Sequence, residues 1–275
     1  MVAEGRWELI NGGWSENDEA CPIFEDIVDN MMVGHQWIQK EFGVTPRVGW
    51  LIDSFGHSAS NARLYADMGL EALFISRIAT GDRDKRIKEK AMNYLWRPDT
   101  KHFGDQHELL VSYFTNTYCY PEGFAVDTIA EGEDDPFQPD KSRPKSYNAE
   151  VKATKLVNLV QWEADHRLEN HIILPWGCDF SFSNAKMGYD QMDKIIEFTN
   201  KYNTKNITFM YSTPSAYIDA IRKENISYPV KYDDGFPYND WSNDYWTGFF
   251  SSRPTKKKQT RDFGANMRAS QKLFS

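Results

Sequence analysis

Gly49-Trp50-Leu51-Ile52-Asp53-Ser54-Phe55-Gly56-His57-Ser58 is the stretch on which the fold turns. Val48 to Ile52 is a short apolar run of the kind that forms a buried strand, and it ends in an aspartate followed by a glycine turn carrying His57 and Ser58. Such a segment delivers a carboxylate to the C-terminal edge of a parallel sheet, the edge at which α/β folds bind ligands. The competing reading is an Asp53 that only caps the next helix.

Working outward, further runs with strand character are Ala72 to Ile75, Leu109 to Phe114, Ile172 to Leu174 and Ile207 to Tyr211. Each is followed by a segment of helical character, and that alternation implies an α/β domain with a mainly parallel sheet. Residues 20–41 and 150–168 read as helices, the first from the stripe Ile23, Ile27, Met31, Met32, Trp37 and Ile38. Ser212-Thr213-Pro214 is a helix-start signal for Ala216 to Lys223. Between Cys119 and Ala149 the chain is polar, charged and proline-bearing, as in Glu131-Gly132-Glu133-Asp134-Asp135-Pro136, and reads as a surface loop. From Lys256 a basic run leads into Phe263, Met267 and Leu273 at helical intervals, so 1–254 reads as one α/β domain and 255–275 as the first helix of a helical one.

The chain has 275 residues and a formal charge of -8, which argues against nucleic acid as a partner. No run approaches the roughly 20 apolar residues of a membrane helix, and the first residues lack a signal-peptide pattern. Cys21, Cys119 and Cys178 are far apart, giving neither a zinc-finger spacing nor an even disulfide framework.

The stretch around Asp53, with Ala66-Asp67-Met68-Gly69 and Leu73-Phe74-Ile75-Ser76-Arg77 after it, resembles glycoside hydrolase family 38, the lysosomal, vacuolar and Golgi-type α-mannosidases. Other motifs agree in order: Asn11-Gly12-Gly13-Trp14, Asn17-Asp18-Glu19-Ala20, Tyr120-Pro121-Glu122-Gly123-Phe124, Trp176-Gly177-Cys178-Asp179-Phe180, and Tyr245-Trp246-Thr247-Gly248 running on to Arg253-Pro254. The resemblance spans nearly the whole chain. It implies an irregular seven-stranded β/α barrel whose first strand would precede residue 1.

The resemblance also implies a retaining, zinc-dependent hydrolase of α-mannosyl glycans working in the lysosome, vacuole or secretory lumen. In it Asp53 is nucleophile and zinc ligand, and Asp179 is the acid/base. Retaining glycosidases need two such carboxyls, about 5 to 5.5 Å apart, one attacking the anomeric carbon and one protonating the leaving oxygen. Zinc would hold the 2- and 3-hydroxyls of the sugar as template and Lewis acid. Arg77 matches an arginine beside the nucleophile, where a cation favours the ionised carboxylate. Phe55 and Trp14 are candidates for the wall under the sugar ring, with core packing the alternative for Trp14. Asp18 either binds substrate hydroxyls or caps a helix, and His57 is a hydrogen-bonding support or a structural residue.

The chain departs from the family pattern in three places. A His-x-Asp motif supplying two zinc ligands is missing from Met1 to Gly13. A later His, expected before Tyr245, is replaced by Trp241-Ser242-Asn243-Asp244, leaving Asp244 as an oxygen donor. Ser54 stands where the family usually has Pro. The expectation is therefore that these 275 residues, as a fragment or a degenerate paralogue, show no appreciable mannosidase activity alone. Alternatives are a non-catalytic mannoside-binding remnant and a metal-dependent polysaccharide deacetylase; the latter is disfavoured because the histidines lack paired ligand spacing at a strand end.

Overall fold

The structure is a computed structural model that describes residues 1–115, 117–126, 134–202 and 205–274. Their contacts divide them into two compact units, Met1–Tyr113 with Ser227–Ser275, and Phe114–Ile226.

The first unit is built on five strands: β1 (Val48–Leu51), β2 (Ala72–Ile75), β3 (Asn93–Trp96), β4 (Leu109–Tyr113) and β5 (Val230–Lys231). They hydrogen-bond in the order β1-β2-β4-β3-β5. β1 with β2, β2 with β4 and β3 with β5 are parallel, whereas β3 and β4 are antiparallel. The mainly parallel α/β reading holds. The seven-stranded barrel does not appear among the described residues, which form a linear five-stranded sheet.

Leu51, Leu73, Ile75, Trp96, Leu109 and Val111 are buried in one apolar core, with Ile27 and Met31 packed into it. Those two belong to α1 (Phe24–Phe42), which buries Ile27, Met31, Gly34 and Ile38 at helical spacing. Met32 and Trp37, counted in the expected stripe, are exposed instead. α1 ends at Gly43, whose left-handed backbone (φ 68°) lets its N–H reach Gln39 O. α2 (Ala59–Asp67) is capped by Ser58, whose side chain accepts the Ser60 N–H. α3 (Thr80–Glu89) and the short α4 (Thr100–Phe103) complete the stretch up to β4.

The second unit contains α5 (Ala149–Asp165), α6 (Ala185–Tyr202) and α7 (Pro214–Arg222). α7 starts as expected, with Thr213 accepting the Ala216 N–H and Pro214 in its first turn. Phe124, Phe137, Ala149, Leu156 and Ile195 form a separate core, joined by Leu174, Trp176, Phe198 and Phe209. The two strands expected here, Ile172 to Leu174 and Ile207 to Tyr211, are not strands. Side chains satisfy the backbone instead of a ladder: Asn200 bonds both the N–H and the C=O of Phe209, at 2.8 Å each, and Glu224 accepts the Asn170 N–H at 2.8 Å. Within the expected loop, residues 127–133 lie outside the described residues; Arg143 to Ser146 are exposed.

α8 (Pro254–Phe274) groups with the first unit. Arg268 on α8 reaches Asp26 and Asp29 of α1, at 2.6 and 3.0 Å.

Candidate active site

Parallel pairing of β1 with β2 places Leu51 opposite Ile75, so Asp53 and Arg77 both emerge two residues beyond the same sheet edge. The Arg77 guanidinium closes on one carboxylate oxygen: Nε lies 2.6 Å and Nη2 2.5 Å from Asp53 Oδ1. Its Nη1 donates to the Tyr238 hydroxyl at 3.1 Å. The guanidinium carbon stands 5.2 Å from the Phe55 ring, 5.7 Å from Tyr238 and 5.2 Å from Trp246. Phe55 in turn meets Trp246 edge-on at 4.9 Å and Phe249 at 5.7 Å. Three aromatic faces thus fix the cation by attraction to their negative π surfaces, and the cation fixes the carboxylate. Asp53 keeps 46% of its side-chain surface exposed and is open to a ligand.

The turn behind Asp53 is held from two sides. His57 is fully buried, with Nδ1 2.7 Å from Glu19 Oε1, while Glu19 Oε2 accepts the Ser58 N–H at 2.7 Å. The His57 backbone exchanges two hydrogen bonds with Gly235. Gly56 sits at φ 97°, and a Cβ there would lie 2.4 Å from the Phe236 ring, so glycine is required by both backbone and space. His57 is therefore a support of the turn. Glu19 is the partner that sequence reasoning missed, because 38 residues separate the pair; its appearance beside Asp18 in a quoted motif was the available signal.

Asp18 accepts the Cys21 N–H at 2.7 Å in the turn ahead of α1 and does not cap that helix, which starts at Phe24 with Ile23 at its N-cap, so the capping alternative is corrected. Trp14 is 66% exposed and meets Trp37 edge-to-face at 6.3 Å, so the core-packing alternative for it is corrected. Asp244 is exposed, its N–H bonded to Trp241 O at 3.1 Å. Ser54 donates to Asn17 O at 3.2 Å, which ties the turn down without proline. Glu16, also missed, is exposed overall, yet desolvation of its carboxyl and then the negative charge of Asp53 raise its pKa above the ordinary glutamate value. The Ile52 backbone and His57 oppose that rise.

Asp179 lies in the second unit, exposed, in a turn following Trp176-Gly177-Cys178. The Tyr118 hydroxyl donates to its Oδ1 at 3.3 Å. Cys178, next to Asp179, is disulfide-bonded to Cys119, next to Tyr118. The three cysteines thus make one bond and leave Cys21 a free thiol, which is not an even framework, and the spacing of 59 residues hid the pairing from the sequence.

Residues 1–241 match the glycosyl hydrolases family 38 N-terminal domain, and the chain belongs to that family. It is 38% identical over 266 residues to a lysosomal α-mannosidase of Dictyostelium discoideum, a match covering 96% of this chain and 26% of that one. An α-mannosidase of Arabidopsis thaliana is 40% identical over 277 residues, covering 99% and 26%, and the human lysosomal α-mannosidase 35% over 265 residues, covering 95% and 26%. The chain thus spans about a quarter of the length of these curated relatives. Among solved structures, an α-mannosidase from Enterococcus faecalis V583 superposes with a TM-score of 0.60 at 16% identity, covering 85% of this chain and 22% of that one, a likeness of fold.

Proposed function

We propose that this chain carries catalytic residues of a retaining α-mannosidase acting on terminal α-mannosyl groups of glycans in a lysosomal or related lumen. Asp53 in the grip of Arg77 at a sheet edge is the observation that carries the reading. Asp53 attacks the anomeric carbon and forms a glycosyl ester while Asp179 gives its proton to the departing oxygen. Asp179 then takes a proton from the water that cleaves the ester. Phe55 and Trp14 offer apolar surface to the sugar ring, and Asp18 offers a carboxylate oxygen to a hydroxyl beside its bond to the Cys21 N–H. Membership of a family of lysosomal and plant relatives supports the substrate class and the compartment, and no helix among the described residues is long and apolar enough to cross a membrane.

Zinc belongs to the proposal through the family resemblance. Among the described residues no three His, Cys, Asp or Glu side chains gather as a metal group. Asp53 and Asp244 alone fall short of the four ligands zinc usually takes.

Trapping tests the reading. The chain alone is expected to show no appreciable hydrolysis, but a slow-turnover aryl α-mannoside brings its own good leaving group and one attack suffices to label. Mass spectrometry of peptic fragments after long exposure is therefore expected to find a hexosyl ester on Asp53 and none in Asp53→Asn. Mannoside binding with no ester on any residue would favour the non-catalytic alternative and sink the nucleophile assignment.

A further inference from the structure

We propose that the Cys119–Cys178 bond, acting through Tyr118, is a positioning device for Asp179. The inference rests on the reading of Asp179 as acid/base.

Asp179 needs such a device because its own backbone gives it little. It is exposed and lies outside helix and strand, in a turn where Phe180 and Phe182 both adopt left-handed φ, 59° and 63°. Bulky residues occupy that region only when the surroundings over-determine it. The surroundings are two chain segments laced together. Cys119 and Cys178 join them covalently, and rings interlock around the bond: on the far side of each cysteine Tyr120 meets Trp176 at 5.9 Å and Phe124 meets Trp176 at 5.6 Å, and Phe182, three residues beyond Asp179, meets Tyr120 at 6.3 Å. The lacing is tight at the backbone too, since a Cβ on Gly177 would stand 3.0 Å from the Phe182 ring.

On the near side the residues adjoining the cross-link are Tyr118 and Asp179, and these are the two that hydrogen-bond. A covalent link one residue away from both partners removes most of the freedom by which they would separate. A general acid must point its proton at one oxygen, and a displacement of about 1 Å in such a group has a large effect on rate. Tyr118 is thus a positioning residue, and the disulfide is what keeps it in reach.

The test labels aspartate with 13C at the carboxyl carbon and follows the Asp179 resonance, assigned by its loss in Asp179→Asn. Dithiothreitol gives two electrons and two protons, the Sγ–Sγ bond opens to two thiols, and the reductant closes to its cyclic disulfide. Tyr118→Phe removes the hydroxyl and keeps the ring and the disulfide. The Asp179 signal is expected to shift in Tyr118→Phe and to shift likewise in the reduced protein and in the Cys119→Ser/Cys178→Ser variant. A signal that stays at the wild-type position on reduction, or in Tyr118→Phe, would overturn the proposal. Asp179→Asn tests the underlying reading separately, through the lifetime of the ester that the aryl α-mannoside leaves on Asp53: if the ester is lost equally fast in that variant, Asp179 is not the acid/base, whatever the resonance shows.

Discussion

Glu224 gathers three donors at the end of α7. It accepts from His171 Nδ1 at 2.6 Å and from the backbone and side-chain nitrogens of Asn170 at 2.8 and 3.0 Å. Burial pushes its carboxyl pKa up, but the bonds from His171 and Asn170 outweigh that, and the net value lies below the ordinary 4.5. A depressed acid stabilises the fold at pH above its unfolded value, and the contribution drains away as pH falls through the folded value. Glu224→Gln is therefore expected to destabilise the protein by about 1–2 kcal/mol at pH 6, and by much less once the pH is well below 4.5. Urea titrations at the two pH values check the difference, and an equal loss at both would contradict it. At this scale the sequence was informative where an aspartate at a strand end marked the place, as for Asp53, and where the family resemblance marked its neighbour, as for Arg77. It was silent where a role depends on a distant partner: Tyr238 reaches Arg77 across 161 residues, and no local pattern marks it.

α1 packs by closeness as well as by apolar contact. A Cβ on Gly34 would lie 2.0 Å from Gly12 O and 2.6 Å from both Gly13 C and Trp14 N, so helix and glycine turn touch backbone to backbone. Alanine in a helix interior ordinarily gains about 1 kcal/mol over glycine. Here overpacking, about 1–3 kcal/mol, opposes and exceeds that gain. Gly34→Ala is expected to lower the urea midpoint, whereas Gly81→Ala, where nothing lies within 4 Å, is expected to leave it level or raise it. Equal behaviour of the two variants would refute the packing argument. β1, β2 and β4 were legible because their apolar runs are continuous and turn-bounded. β3 was missed: Asn93-Tyr94-Leu95-Trp96 is only four residues long and follows a charged helix, and its antiparallel pairing with β4 leaves no local trace. Ile172 and Ile207 misled in the other direction, since an apolar run states burial but not whether a ladder partner exists.

Each unit has an apolar core of its own, so two calorimetric transitions are expected on heating. Cys119–Cys178 spans 59 residues, and closing a loop of that size restricts the unfolded chain by about 4 kcal/mol. Dithiothreitol should accordingly lower one transition and leave the other in place; a single transition, or two that fall together, would count against independent cores. The division at Tyr113 and Ser227 was not legible, because no glycine- or serine-rich linker marks it and the first unit is assembled from both ends of the sequence. That discontinuity bears on synthesis. At roughly 5–20 residues per second a ribosome needs roughly 8–32 s to travel from Arg77 to Tyr238, 161 codons later. Throughout that interval the nascent polypeptide holds Asp53 and Arg77 with Phe55 alone of the three rings, since Tyr238 and Trp246 are both still to come, and an entire second unit can fold before the first is able to finish.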